Sequence, residues 1–275
     1  MFLKWDNPGY QIVIEKQIFP EVKDVVIEVG EWILGQQSLF STSDIEFKGL
    51  NNLVSYVDKT AEEKLVSGLK TILPGSHFLT EEGTVAYDKD GEWEWVIDPL
   101  DGTTNFLHRV PFFCVSVGLR HHGEITLGII YEPNRKEIFH AIKGQGSFLG
   151  NQAINVSTTP TLASSLIATG FPHRNFEGMD AYIKTLEYFF YHTRGLRRMG
   201  AAAIDLAYIA CGRMDGFFEL KLNPWDIAAG ALIITEAGGL ISDFNGSEDY
   251  LFKSELLAGN PGVYSEMKEV LGRYF

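Results

Sequence analysis

The chain has 275 residues, 45% hydrophobic and 21% charged, enough to bury a large core as one big domain or two fused ones. A formal net charge of −13, with no basic run anywhere, argues against nucleic acid as a partner. The opening residues Met1-Phe-Leu-Lys-Trp-Asp are broken by charge, and no apolar stretch reaches the roughly 20 residues of a membrane span, so a soluble cytoplasmic protein with no membrane partner is expected. Cys114 and Cys211 lie in apolar contexts without paired spacing, as buried thiols of a reducing compartment do.

In chain order, Val22, Val25, Val26, Val29 and Ile33 recur at helical spacing and predict one amphipathic helix. A second helix is expected to start at Asp58, a plausible N-cap, with Ala61, Leu65, Leu69 and Ile72 on its buried side. Between them, residues 45–54 carry turn formers and little periodicity, and read as a mobile loop. Phe78-Leu-Thr-Glu81-Glu82 is a short apolar segment ending in two adjacent carboxylates. Residues 95–97 read as a strand that stops at Pro99, which has no amide hydrogen for a sheet, and Asp101-Gly-Thr-Thr can open a short helix. Alternation at 113–119 and 125–131 predicts a hairpin, with His121-His122-Gly123 as its exposed turn. Lys143-Gly-Gln-Gly is glycine-rich but has no helix to follow, so it is a poor phosphate loop. Beyond it come a strand near 165–169, a helix near 179–191, a short strand at 196–198, a helix near 202–211, a strand at 215–220, a helix opened by Asn223-Pro224-Trp225-Asp226, and a strand near 240–242. Strands alternating with helices mean a layered α/β half. The expected division is an N-terminal α+β half, residues 1–145, and a C-terminal α/β half, residues 146–275, forming one compact catalytic unit.

The chemistry starts where the 95–97 strand breaks. Asp98 and Asp101 stand three residues apart at that turn, so both carboxylates face one pocket, and the free amides of Gly102 and Thr103 point into it as a ready anion site. Carboxylates beside a phosphate-sized anion repel it unless divalent cations sit between them. The turn therefore asks for metal-bridged phosphate. Each part also has a plainer reading: Asp-Pro and Asp-Gly are common turn formers, and Asp226, in a helix first turn, gains about 0.3–1 kcal/mol from the helix dipole. What favours the joint reading is the recurrence of acids at three separated breaks in the chain, at 81–82, 98–101 and 226.

Asp98-Pro-Leu-Asp-Gly-Thr103, Glu81-Glu82 and Trp225-Asp226 with its Ala-Gly-Gly ending together resemble the inositol monophosphatase family of magnesium-dependent, lithium-sensitive phosphatases. The likeness runs from about Val22 to the Ala258-Gly-Asn segment. It implies a mixed α+β and α/β fold, a five-layer αβαβα sandwich of the sugar-phosphatase type. It also implies two to three Mg2+ ions: Glu81, Asp98 and the Leu100 carbonyl on one, Asp98, Asp101 and Asp226 on a second, and a weaker third near Glu81. Glu82 supports these ligands through hydrogen bonds, Thr103 and Asp58 form a base relay on the attacking water, and Lys48 is a loop lysine that helps the weakest metal. For Thr103 a helix cap, and for Lys48 a solvated lysine, are the plainer alternatives. Asp101, Gly102, Thr103, Gly200, Ala202, Glu219 and Asp226 are the implied substrate contacts. Ala201, Asn52 and Ser55 depart from residues common among relatives, which bears on substrate preference and loop behaviour.

The implied reaction is hydrolysis of a small sugar or polyol phosphomonoester, myo-inositol monophosphate first, by a homodimer. Phosphatases of 3'-phosphoadenosine 5'-phosphate, fructose 1,6-bisphosphate and histidinol phosphate are the sibling alternatives. Thr103-Thr104-Asn105-Phe106 disfavours the first of these, whose members place a lysine and a glutamate after the first threonine. A non-catalytic acidic metal-binding module is the alternative of another class, and it gives no reason for Thr103 and Asp58 to accompany the acids.

Overall fold

A computed structural model describes residues 8–39, 45–49, 52–87, 91–172 and 176–275, with side chains for all of these except 8–14, 45–49 and 52–55. The valine and isoleucine spacing near the N-terminus belongs to one long helix, α1 (Pro8–Gln37), on which Val22, Val26 and Ile33 are fully buried. Residues 45–54, expected as a loop, instead hold an antiparallel hairpin of β1 (Ile45–Gly49) and β2 (Asn52–Ser55). The side chains of Lys48, Asn52 and Ser55 lie outside the described ones. The next helix, α2 (Tyr56–Ile72), begins two residues before Asp58, which is therefore its third residue and not its cap. Ala61, Leu65 and Leu69 form its buried face.

The larger sheet is a seven-stranded run in sequence order: β3 (His77–Thr80), β4 (Trp93–Asp101), β5 (Cys114–His121), β6 (Glu124–Glu132), β7 (Glu137–Ile142), β8 (Ser147–Leu149) and β9 (Gln152–Ile154). Only β3 and β4 run parallel within it. All nine residues of β4 are buried, because both faces of the sheet are covered, and that removes any need for apolar-polar alternation. Pro99 does not stop this strand. The β4–β5 register slips between Asp98 and Asp101, and a bulge there asks no ladder hydrogen bond of the proline. Asp101 then leads through Gly102, at φ 93°, into the single-turn helix α3 (Thr103–Leu107). A Cβ on Gly102 would meet the Phe112 carbonyl at 3.0 Å, so both the dihedral and the space call for glycine.

His121 is not part of an exposed turn. It ends β5, is 6% exposed, and stacks on Trp93 with ring centroids 4.0 Å apart; only His122 is exposed. The glycine-rich turn after β7 is closed from within, since the Glu236 carboxylate accepts the Gly144 and Gly146 amides at 2.7 and 2.8 Å.

The second sheet contains β10 (Leu166–Thr169), β11 (Gly195–Arg197), β12 (Gly216–Leu220), β13 (Leu240–Ser242) and β14 (Glu255–Gly259) in the order β11-β10-β12-β14-β13, parallel at β10 and antiparallel at β14. Between the sheets lie α5 (Ala202–Ala210) and α6 (Pro224–Glu236), and outside the second sheet lie α4 (Met179–His192) and α7 (Pro261–Tyr274). With α1 and α2 on the far face of the first sheet, the layers read αβαβα. The middle layer is alanine-rich and buried all round, which lets it approach the first sheet closely. A Cβ at Gly128 of β6 would meet the Ala229 carbonyl oxygen at 2.7 Å. None of the described helices is long and apolar enough to cross a membrane.

Candidate active site

Three breaks in regular structure meet at one cavity of about 530 Å³ between the two sheets. Glu81 follows the last residue of β3; Asp98 and Asp101 flank the β4 bulge; Asp226 sits in the first turn of α6. All four line the cavity, together with Leu100, Gly102 and Thr103. The local chemistry holds each in place. The Asp98 carboxylate accepts the Leu100 amide at 2.9 Å, Asp101 accepts the Ala203 amide at 2.7 Å, and Asp226 accepts the Asn223 amide at 2.7 Å. Asp101 and Ala203 come from opposite halves of the chain, so that bond ties β4 to α5.

Burial and mutual repulsion disfavour charge on this cluster. Burial first, then Asp226 and Glu82, pushes Glu81 up to about 8; burial pushes Asp101 up to about 7, against the pull of its amide bonds; and Asp98 is raised by burial and by Glu81. Glu81 as a residue is half-buried, because its outer part borders the cavity while the protein encloses its carboxyl. Such a cluster needs protons or cations. Its donors are all oxygen, which suits a hard divalent ion.

Thr103 opens α3 with its Oγ1 2.9 Å from Asp58 Oδ1 and 3.1 Å from the Leu100 carbonyl oxygen, so one hydroxyl proton serves two acceptors. Asp58, 1% exposed, stands behind Thr103 and off the cavity wall. Gly170, Arg198, Gly200, Ala202, Asp205, Glu219 and Lys221 complete the lining of the cavity. Glu219 is pushed up to about 8 by burial and by Asp226, with Arg198 opposing. Asn105 Nδ2 donates to the carbonyls of Phe112 and Met199, at 2.8 and 2.9 Å, and so fastens α3 to the segment that carries Gly200.

Residues 16–274 match the inositol monophosphatase family. The chain belongs to this family. Among its relatives, the Nus factor SuhB of Escherichia coli (strain K12) is 43% identical over 220 residues, 80% of this chain and 82% of that protein. The crystal structure of extragenic suppressor protein suhB from Bartonella henselae superposes with a TM-score of 0.88 at 36% identity, covering 94% of this chain and 100% of that one. An IMPase from Thermotoga maritima gives a TM-score of 0.85 at 30% identity, covering 94% and 98%. Membership makes the chain a phosphatase-family protein for phosphorylated small molecules, with the fold that the layers above display.

Of the residues that the sequence marks out in this family member, Glu81, Asp98, Leu100, Asp101, Gly102, Thr103, Gly200, Ala202, Glu219 and Asp226 line the one cavity, and Asp58 reaches it through Thr103. Glu82 does not line it among the described residues; its amide donates to Glu62 at 2.7 Å. That contact exposes what motif reading missed. Glu62 of α2, fully buried, also accepts the Thr80 hydroxyl at 2.9 Å and both the amide and the hydroxyl of Thr84 at 2.7 Å, clamping the turn that presents Glu81. A sign of it was available, since Glu62 is an acid on the same helix face as Asp58, Leu65 and Leu69. Asp205 was missed too. Its carboxyl is buried and raised by burial and by Glu219, its Oδ1 has no hydrogen-bond partner among the described residues, and it lines the cavity beside Arg198.

Proposed function

We propose that this protein hydrolyses myo-inositol monophosphate, or a closely related sugar or polyol phosphomonoester, with magnesium as its cofactor. The observation that carries this reading is the meeting of Glu81, Asp98, Asp101 and Asp226 with the Thr103–Asp58 couple around a single cavity. Glu81, Asp98 and the Leu100 carbonyl would hold one ion, Asp98, Asp101 and Asp226 a second, and Glu81 with water a third. When bound, magnesium neutralises the phosphate oxygens and makes water acidic enough to attack near neutral pH. Thr103 Oγ1 donates its proton toward Asp58, which leaves its lone pairs to accept one from the attacking water and fix that water's direction; Asp58 Oδ1 takes up the proton that Thr103 passes on. Gly102 and Thr103 flank the phosphate end. Gly200 and Ala202 leave room for a ring, and Glu219 hydrogen-bonds a ring hydroxyl, with Arg198 favouring its charged form. Lys48 as a helper of the weakest ion, Glu82 as a support of its neighbours, a homodimer and a cytoplasmic setting belong to the same reading.

The test is phosphate release from a panel of inositol monophosphate, glycerol 2-phosphate, fructose 1,6-bisphosphate, histidinol phosphate and 3'-phosphoadenosine 5'-phosphate. Inositol monophosphate is expected to give the highest kcat/KM. Glu219→Gln is expected to lower its ratio to glycerol 2-phosphate by about tenfold, as loss of one hydrogen bond to a charged group does. An unchanged ratio contradicts the ring contact. The relatives named Nus factor favour a second reading, in which the chain also binds a transcription partner; an inactive Asp98→Asn variant that still binds such a partner separates the two.

A further inference from the structure

The pair of histidines at the end of β5 takes no part in the cavity described above. His121 is the last strand residue, and His122 enters the turn to β6 with φ 48°, followed by Gly123 at 87°. Successive strand residues point to opposite faces. The left-handed turn breaks that alternation and brings the two imidazoles side by side, with ring centroids 4.2 Å apart. Across the ladder, the Glu92 carbonyl accepts the His122 amide at 3.0 Å, which holds the Glu92 side chain opposite both rings. Its Oε1 lies 2.9 Å from His121 Nε2 and 3.7 Å from His122 Nε2, and one ligand atom from each of the three residues lies within 4.8 Å of the others.

We propose that Glu92, His121 and His122 form a second metal site, of two imidazoles and one carboxylate, which takes a borderline divalent ion such as Zn2+ or Ni2+. With metal–nitrogen bonds of about 2.0–2.1 Å, the ligand atoms of a tetrahedral site stand about 3.3 Å apart. The separations of 2.9 and 3.7 Å from Glu92 bracket that value. Mixed nitrogen and oxygen donors suit such an ion, whereas the all-oxygen cavity suits magnesium. His121 is the fixed ligand: it is buried and stacked on Trp93. His122 and Glu92, with side chains 62% and 42% exposed, leave the remaining position to solvent. The ion would clip the start of β4 to the β5–β6 hairpin, and an ion that binds only the folded chain raises its unfolding temperature.

The test uses tag-free, metal-stripped protein in excess Mg2+, titrated with Ni2+, with bound nickel counted after equilibrium dialysis and the thermal midpoint followed. Wild type and Asp98→Asn are both expected to hold one Ni2+ per chain and to gain thermal stability from it. His122→Asn, chosen because asparagine accepts the left-handed conformation, and the isosteric Glu92→Gln are expected to bind it about tenfold more weakly or worse, with no thermal gain. Phosphate release with Mg2+ stays at the wild-type level in both. Nickel binding by His122→Asn equal to that of wild type, or nickel binding that disappears with Asp98→Asn alone, overturns the proposal.

Discussion

Thr103 occupies the position where loss of one hydroxyl separates chemistry from binding. Its hydroxyl bonds Asp58 and the Leu100 carbonyl, whereas Gly200, Asp205 and Glu219 line the cavity from other elements. Thr103→Ala therefore removes the proposed proton-handling group and leaves the proposed polyol contacts in place. Such groups contribute roughly 10²–10⁴-fold, so kcat is expected to fall by at least about 100-fold with KM little changed. Steady-state kinetics at saturating magnesium checks this; an equal loss of kcat and rise of KM contradicts the relay. Asp58 and Thr103 lie 45 residues apart, and each alone has an ordinary helix-opening role, so only the family resemblance joined them before the 2.9 Å contact was visible.

The acids are held by elements that also have to close a turn, a bulge and a helix start. Glu62 shows how far this reaches, because four donors from β3 and the turn after it end on one buried carboxylate. Glu62→Gln turns an amide toward those donors; a stability loss of about 1–3 kcal/mol is expected, together with a higher magnesium concentration for half-maximal activity at unchanged KM. Chemical denaturation and a magnesium titration read the two effects, and a variant with wild-type magnesium demand contradicts the clamp. Elements with strong internal periodicity were legible in the sequence: the helix face Val22, Val26, Val29 and Ile33, and the Asn223-Pro224 opening of α6. Pro99 misled, because a proline forbids a ladder bond but not a bulge, and nothing local says which of the two a strand will use. The strands of the β1–β2 hairpin and the short strands β8 and β9 have only three to five residues each, too few for an alternating pattern to show. Likewise His121, polar and beside a glycine, reads as turn until the Trp93 stack and the Glu92 contact bury it. The motif residues were legible by contrast because their chemistry, more than their pattern, limits which side chains can stand there.

Across the molecule, the site is a seam: β3, β4 and α3 on one side, α5, β12 and α6 on the other, with like charges facing across it. Burial and repulsion hold Glu81 near 8, Asp101 near 7 and Glu219 near 8, against about 4 for carboxyls of an unfolded chain. Between those values the folded state keeps protons that the unfolded state has lost, so the stability of metal-free protein is highest at the acid end and falls as pH rises through roughly 4 to 8. Under the proposed reading magnesium competes with those protons and is expected to flatten the slope. Thermal midpoints at about pH 5 and about pH 8.5, in chelator and in magnesium, check the sign; a midpoint in chelator that rises with pH across that window contradicts it. Most direct of all is phosphate release from inositol monophosphate, measured for wild type and Asp98→Asn with magnesium and with excess chelator. Activity that requires magnesium in wild type and drops by orders of magnitude in Asp98→Asn is the predicted result, and turnover that persists in chelator, or survives the loss of the Asp98 charge, would contradict a metal-assisted phosphatase built on these four acids.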